Sequence, residues 1–491
     1  MGILLGDDSP KAQSSVSRIT DFFVPEIFTR GRVATPHLGP TAWLDGLRGW
    51  AALCVTFMHL TVYTHDGIEL CYGSKFRHNE EYNTTWAALP IIRLPFTGGH
   101  FSVMLFFVIS GYVVPRRLIQ YLQEGRRQDF TDAVHSAIVR RPVRLYVPVF
   151  LCTIAIFTCW HVLGITPENT PKQGNIVSEV FAWIAETTLF SYFYRNYWLF
   201  SYYNVHTWTI PVELRGSMFL FVYLIIVQGL SNRNRILMTA GMIIHLAVLS
   251  PGAWYACFFA GMFICELDLL ALSGNNIRMP WSIISDWLYS KSRASVKTVV
   301  MHALFIASLY LATQPSSDWS TKAETLGNCP GWSTLSAMVP FYYIDADSQF
   351  RWFWLFWAAA LLLFSIREIS WLRRSFDSPI AQYLGRHSFA LYLIHGPMIA
   401  YFSESLFFMT GVKEIYEEKQ RPKFGAIAGL LSDQPWWPLP KGGPAGLEPN
   451  FLFCAFVSIP VYLYVAELGT KMFDRPSIKI SQAIWQRFKY N

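Results

Sequence analysis

The chain has 491 residues, of which 52% are apolar, 16% aromatic and only 15% charged. Because roughly a quarter of the residues in soluble proteins are charged, this composition excludes an ordinary soluble domain and indicates a polytopic membrane protein. The net charge of +7 does not indicate nucleic-acid binding, since the basic residues form short clusters between apolar segments rather than one basic stripe.

Ten apolar stretches, each of about 16 to 24 residues, predict ten transmembrane helices in one all-α bundle. They are residues 44–65, 98–115, 143–164, 208–230, 235–250, 253–271, 297–313, 351–366, 386–409 and 450–471. We assign 1–42 to an N-terminal tail, 43–473 to the transmembrane domain and 474–491 to a C-terminal tail. Residues 177–200 fit either a loop or an interfacial helix, and no cleaved signal peptide is expected before the first span.

An even number of spans places both termini on one side of the membrane. The tails and loops on that side contain 26 lysines and arginines, against 11 in the opposite loops. The positive-inside rule therefore predicts that both termini are cytosolic, in an endomembrane or the plasma membrane.

Three loop residues fall on the predicted outer side. Asn83 begins the sequon Asn83-Thr84-Thr85 and is a candidate glycan acceptor. Cys71 and Cys329 are the two loop cysteines, and they can form a disulfide in an oxidising compartment. The other six cysteines lie inside apolar stretches, and no metal-ligand spacing appears, so no metal site is predicted.

Arg48 and His59 lie on the first predicted helix, separated by ten residues without charge. Eleven residues bring the two side chains back to nearly the same face, about 16 Å apart along the axis. Ionisable groups within a membrane span are energetically expensive, and they usually face the protein interior and serve a function.

Glu213 is predicted to reach a depth similar to that of His59, because the fourth span enters from outside at 206–213. A carboxylate beside an imidazole would orient it and stabilise its cation, which suits a general base acting on a hydroxyl. A structural ion pair, or a core histidine with its hydrogen bonds satisfied, is the alternative.

Arg140, Arg141 and Arg144 form the densest basic cluster on the predicted cytosolic side. Pro142 suits the first turn of a helix, so Arg141 and Arg144 would lie on one face beside a positive helix terminus. Forked guanidinium groups with free backbone N–H groups can bind phosphate. Ordinary positive-inside charge, or contact with lipid headgroups, explains the cluster equally well.

Other side chains in or beside the spans could border a substrate path, although Ser110 beside Gly111 could equally allow close helix packing. They are Ser110, Tyr112, His206, Trp208 and His395.

Taken in order, these segments resemble the membrane acyltransferase-3 family of O-acyltransferases, and its fungal members in particular. The matching segments are 44–49 followed by His59, 106–112, 141–144, 208–213 and 392–397. The resemblance implies a ten-span domain that transfers an acyl group, commonly acetyl from acetyl-CoA, to a hydroxyl group. It implies acyl-CoA as co-substrate and no tightly bound cofactor.

The resemblance also assigns roles to individual residues. Arg48, His59, Arg141 and Arg144 match the family's essential set, with His59 as the acid/base and the arginines serving the acyl donor. Thr209 stands where the family usually has Ser, and an unusual run follows Glu213. These departures leave the acceptor open among carbohydrates, lipids and secondary metabolites.

Several mechanisms and functions remain open from the sequence. The acyl group could pass directly from CoA to the acceptor, or through an acyl-enzyme on a histidine or on Ser110. A multi-pass transporter or proton-coupled carrier also uses intramembrane His, Glu and Arg. A sensor that binds acyl-CoA without turnover is a third hypothesis.

Overall fold

The computed structural model describes most of the chain, and the described residues contain helices but no strand. The described ranges are 22–26, 38–65, 67–74, 82–165, 171–195, 199, 201–274, 277–316, 321–344, 349–413 and 435–489. The prediction of an all-α protein is therefore confirmed for these residues.

Twelve longer helices form the bundle within the described ranges. They are α1 (Ala42–Val62), α2 (Gly99–Val113), α3 (Arg127–Val162), α4 (Ile176–Ser191), α5 (Thr209–Val227), α6 (Asn232–Ile244), α7 (Ala253–Ser273), α8 (Ala294–Ala312), α9 (Arg351–Ile366), α10 (Pro379–Met398), α11 (Pro449–Gly469) and α12 (Arg475–Phe488). Shorter helices at Leu94–Thr97, Arg116–Gln123, Ser282–Tyr289, Ser333–Ala337, Ser370–Phe376 and Glu404–Thr410 connect them.

Each of the ten predicted spans coincides with a helix or part of one. Among the described residues, six helical segments are long and apolar enough to cross a membrane: Gly99–Gln123, Arg127–Val162, Val205–Val227, Ala253–Ser273, Lys291–Ala312 and Pro449–Phe488. A seventh span results if α9 and Ser370–Phe376, which meet at an angle of 101°, are counted together. The chain is thus a helical membrane bundle, and the count of ten spans stays a prediction.

The stretch 177–200 resolves mainly into α4, whose first turn is capped by the Asn175 side chain accepting a hydrogen bond from the Ser178 N–H. Phe181 and Ile184 on this helix are exposed. The buried Glu179 carboxylate accepts hydrogen bonds from Tyr203 and from the Gln173 N–H. The helical interpretation of this stretch is therefore correct.

Helices α1 and α10 pack against each other at very short range. Glycines make the contact: a Cβ built on Gly49 would lie 2.4 Å from the Gly385 nitrogen, and one on Gly385 would lie 2.3 Å from the Asp45 carbonyl oxygen. Helix α2 meets α7 in the same way, since a Cβ on Gly111 would lie 2.1 Å from the Phe258 oxygen. Small residues of this kind allow membrane helices to approach closely.

A Gly49→Ala substitution should destabilise the protein, because the new methyl group meets backbone atoms of α10 that cannot move aside. Overpacking of this kind typically costs about 1–3 kcal/mol, and the melting temperature in detergent measures the loss. Gly241→Ala on α6 is the matched control, since a Cβ added there would have nothing within 4 Å. Equal melting temperatures for the two variants would contradict the close-contact assignment.

Candidate active site

A cavity of about 640 Å³ lies between α1, α2, α3, α5 and α10. Its wall is strongly basic, with Glu213 and two aspartates as its acidic members. The charged residues that line it are Asp45, Arg48, Arg140, Arg141, Arg144, Glu213, Arg386 and Asp474. Arg48 belongs to α1, and the three arginines at 140–144 belong to α3. All four side chains line the same cavity.

Arg141 and Glu213, which both line this cavity, form an ion pair. The Ser110 hydroxyl donates to Glu213 and accepts a hydrogen bond from Arg141 at 3.1 Å, and Arg141 Nε donates to Ser217 Oγ at 3.1 Å. Both charged side chains are largely buried. The arrangement holds the Arg141 guanidinium in a fixed position at the inner end of the cavity.

The expected partnership of His59 with Glu213 is therefore corrected, because the structure pairs this carboxylate with Arg141. Depth explains the difference. Glu213 follows His206 by seven residues, which is about 10 Å along a helix, whereas the ring of His59 lies beside that of His206.

The predicted helix terminus at Pro142 is also wrong. Helix α3 begins at Arg127 and continues through Pro142 and Pro148 to Val162. The predicted helix start at Pro142 therefore supplies no free N–H groups to Arg141. What the arginine cluster presents to the cavity is guanidinium groups alone, with Arg144 exposed and Arg140 and Arg141 partly buried.

Three histidines from three separate elements meet near this cavity, where the lining residue Tyr392 lies 5.8 Å from the His395 ring. The ring centroid of His59 on α1 lies 4.3 Å from that of His206, before α5, and 5.0 Å from that of His395 on α10. The rings of His206 and His395 are 4.7 Å apart. We call these three residues the histidine cluster.

Backbone carbonyls fix the tautomer of two members of the histidine cluster. His59 Nδ1 lies 2.9 Å from the Val55 oxygen, and His395 Nδ1 lies 2.7 Å from the Tyr392 oxygen. Because a carbonyl oxygen only accepts, each Nδ1 carries the proton and each Nε2 has a lone pair. In this state an imidazole can serve as a base or as a metal ligand.

The histidine cluster lies between two openings. Tyr392 and Thr209 line the large cavity, and Tyr392 both donates to the His206 carbonyl and lies 5.8 Å from the His395 ring. On the other side is a crevice with a volume of about 30 Å³. Its lining is mainly aromatic and includes His206: Tyr63, Trp160, Tyr202, Tyr203, Asn204, Val205, His206, Gly396, Pro397, Ala400 and Tyr401.

The remaining substrate-path candidates lie in different parts of the bundle. Ser110 lines the large cavity, whereas the Tyr112 hydroxyl donates to Asp268 at 2.9 Å, on the side of α2 that packs against α7. Trp208 belongs to an aromatic group with Trp254 and Trp352. Of the five candidates, Ser110, His206 and His395 thus lie at the cavity, the crevice or the histidine cluster.

The loop residues also have defined positions. Cys71 and Cys329 are joined in a disulfide. Asn83 is only 1% exposed, and its Nδ2 donates to the Leu70 oxygen at 3.2 Å. The glycan-acceptor prediction is therefore corrected, since the folded loop buries the nitrogen that would carry the sugar.

The sequence analysis assigned His59 to catalysis and His206 and His395 to a substrate path, and it missed the convergence of the three rings. Each carries the signal of an ionisable residue in or beside an apolar stretch, but His59 and His395 are 336 positions apart. Which faces of α1 and α10 meet depends on the glycine contacts at Gly49 and Gly385. Those contacts become evident only once the helices are paired.

An arginine-lined cavity near a cluster of three histidines, inside a helical membrane bundle, indicates a membrane-bound enzyme. The chain belongs to the acyltransferase-3 family, because residues 41–430 match its Acyltransferase domain. It is a membrane acyltransferase of the class that transfers groups other than aminoacyl groups.

Several fungal proteins are similar over most of this chain. O-acetyltransferase PaAT-1 of Phomopsis amygdali is 28% identical over 74% of this chain and 73% of its own length. Acyltransferase clz18 of Cochliobolus lunatus and acyltransferase R4 of a Phoma species are each 24% identical, over 75% of this chain and 84% of their own lengths. No solved structure matches the chain.

Proposed function

We propose that this protein transfers an acetyl group from acetyl-CoA, bound from the cytosolic side, to a hydroxyl of a carbohydrate, lipid or secondary metabolite. The observation that carries the proposal is the histidine cluster lying between the arginine-lined cavity and the aromatic crevice. The name of the Phomopsis amygdali relative, an O-acetyltransferase, supports acetyl as the group transferred.

The cavity suits the donor in charge and in volume. Coenzyme A carries several phosphate charges, and guanidinium groups bind phosphate through paired charge-assisted hydrogen bonds. Arg48, Arg144 and Arg386 are the arginines of the wall with substantial exposure. Arg386 already pairs with Glu26, whereas Arg140 Nε is buried without a hydrogen-bond partner among the described residues, so Arg48, Arg140 and Arg144 are assigned to the donor. These three side chains are the proposed phosphate ligands, with the thioester arm directed toward Tyr392 and the histidine cluster.

The proposed reaction is direct acyl transfer. His59 Nε2 removes the acceptor proton while the hydroxyl oxygen attacks the thioester carbonyl, so that a C–O bond forms and the C–S bond breaks. The CoA thiolate then leaves and takes up the proton. Ser110 is less suited to carry an acyl group, because its hydroxyl is held between Glu213 and Arg141 rather than beside an imidazole.

The acceptor is assigned to the aromatic crevice. Its volume of about 30 Å³ admits the hydroxyl end of an acceptor, and rings such as Trp160, Tyr203 and Tyr401 favour an apolar face beside that hydroxyl. The His206 ring reaches the crevice because it packs directly on Gly396, where an added Cβ would lie 2.0 Å from the ring. The proposed topology has ten spans, read from the apolar stretches, and two cytosolic termini, read from the loop charges. Transfer would then carry the acetyl group from the cytosolic side toward the outer side.

Arg144→Ala should raise the KM for acetyl-CoA about tenfold or more, since a hydrogen bond to a charged group contributes roughly 1.5–3 kcal/mol. The kcat should change less, because Arg144 lies at the exposed edge of the cavity. Steady-state kinetics with labelled acetyl-CoA measures both constants. Arg487→Ala, an exposed arginine on α12, is the control, and a KM shift shared by both variants would contradict the donor assignment.

The proposed function is tested by incubating the purified full-length protein with acetyl-CoA carrying a labelled acetyl group and a panel of alcohols. The panel covers sugars, sterol-like and polyketide-like alcohols, and mass spectrometry detects an added acetyl group. We expect at least one acetylated product that is absent with His59→Ala. Uptake of unmodified alcohols into proteoliposomes without acetylation would instead indicate a transporter, and donor binding without any product would indicate a sensor.

A further inference from the structure

We propose that the histidine cluster of His59, His206 and His395 binds one transition-metal ion, with zinc the best match. One coordination position would remain open toward the acceptor hydroxyl. Binding of the ion is independent of the proposed function, whereas its role in acyl transfer rests on that function.

The distances within the cluster suit a shared ion. One nitrogen from each of the three rings can be chosen so that all three lie within 4.8 Å of one another. With Zn–N bonds near 2.0–2.1 Å and tetrahedral angles, three imidazoles on one ion have ring centroids roughly 5 Å apart. The observed separations of 4.3, 4.7 and 5.0 Å are close to this value, so small ring movements would complete the site.

The hydrogen bonds around the cluster are those of a metal site. Histidines that bind metals usually donate their second ring N–H to a carbonyl or a carboxylate, which orients the ring and sets the tautomer. His59 does so to Val55 and His395 to Tyr392. Two rings on different helices are thus held with Nε2 as the nitrogen that carries the lone pair.

An unsatisfied atom points to a missing ligand. His395 is fully buried, and its Nε2 has no hydrogen-bond partner within the described part of the chain. A buried polar atom without a partner costs about 1–3 kcal/mol. A single acceptor hydroxyl has one proton and satisfies one nitrogen, whereas a metal ion can bind one lone pair from each of the three rings at once.

The donor set selects the type of ion. Neutral imidazole suits zinc, copper, nickel and iron, whereas magnesium and calcium prefer oxygen ligands. Three histidines with an open fourth position are the ligand set of a catalytic zinc site. Glu213, the carboxylate that the sequence predicted to lie beside His59, is instead paired with Arg141 and is not part of this donor set.

A bound ion would change the role of His59 from base to ligand. An acceptor hydroxyl on the open position would lose its proton more readily, as metal-bound water does. Its oxygen would form the C–O bond to the acetyl carbonyl, the C–S bond would break, and the displaced proton would pass to the CoA thiolate. The aromatic crevice beside His206 gives the acceptor a route to that position.

Metal analysis of the full-length protein, purified with an affinity tag that contains no histidine, tests the proposal. After incubation with Zn²⁺ and desalting, plasma mass spectrometry should find about one zinc per chain. Loading with Co²⁺ should give the visible absorption bands of a four-coordinate site. His206→Ala and His395→Ala should lower zinc affinity by at least about 100-fold, because losing only the hydrogen-bond partner of a ligand already costs up to that much.

His245→Ala, an exposed histidine that follows α6, is the matched control and should keep the ion. Size-exclusion profiles and melting temperatures confirm that each variant is folded, and His395→Gln repeats the test if His395→Ala is not. Folded protein that acetylates its acceptor but binds neither Zn²⁺ nor Co²⁺ would overturn the metal proposal alone. Metal binding without acetylation would overturn the proposed function alone.

Discussion

His59→Ala should reduce acyl transfer by about 10²–10⁴-fold, because that is the usual contribution of a positioned acid or base. The loss should appear in kcat rather than in the KM for acetyl-CoA, since His59 lies beyond the arginine-lined cavity that we assign to the donor. Single-turnover assays with labelled acetyl-CoA and an excess of acceptor separate the two constants.

Two controls make this result interpretable. His245→Ala removes an exposed histidine from another part of the bundle and should leave the rate unchanged. The dissociation constant of a non-hydrolysable acetyl-CoA analogue, measured by isothermal titration calorimetry, should be the same for His59→Ala and the parent protein. A folded His59→Ala variant with normal turnover would show that the active site lies elsewhere.

Glu213→Leu should destabilise the protein by about 3–5 kcal/mol, because it leaves the Arg141 guanidinium largely buried without its partner. Replacing both residues, with Arg141→Met and Glu213→Leu, should recover most of the stability, since apolar side chains of similar volume can substitute for a buried pair. The double variant should nevertheless remain inactive, because the inner end of the donor cavity has lost its charge.

Chemical denaturation of the detergent-solubilised proteins, followed by tryptophan fluorescence, measures these differences. Glu124→Leu is the control, because Glu124 forms an exposed ion pair with Arg126 and exposed pairs contribute little. The assignment fails if the double variant is no more stable than Glu213→Leu, since the two side chains would then be energetically independent.

The apolar pattern predicted the helices well but misplaced a helix start. All ten apolar stretches coincide with helices, because a length of apolar side chains is readable from the sequence alone. Helix α3 begins at Arg127 rather than near 143, since its first half is polar and hydropathy does not distinguish a polar helix from a loop. That error produced the incorrect helix terminus at Pro142.

The site was predictable residue by residue and not as an arrangement. Intramembrane charge identified Arg48, His59 and Glu213 one at a time, whereas Arg141 was identified as part of the cytosolic basic cluster. The partner of Glu213 depended on how far α5 is displaced along its axis relative to α1 and α3. Such displacements arise from packing, for example at Gly49, where the helix backbones meet with no side chain between them.

The glycine contact between α1 and α10 has a consequence for donor selection. Because Arg48 and His59 both belong to α1, and His395 belongs to the tightly joined α10, a phosphate ligand and the reacting end of the site are fixed to one closely packed pair of helices. Under the proposed function, this pair of helices keeps the phosphate-binding groups at a fixed distance from the reacting groups. Acetyl thioesters that lack the nucleotide would lose turnover as well as affinity, since binding energy from remote groups positions the reacting carbonyl.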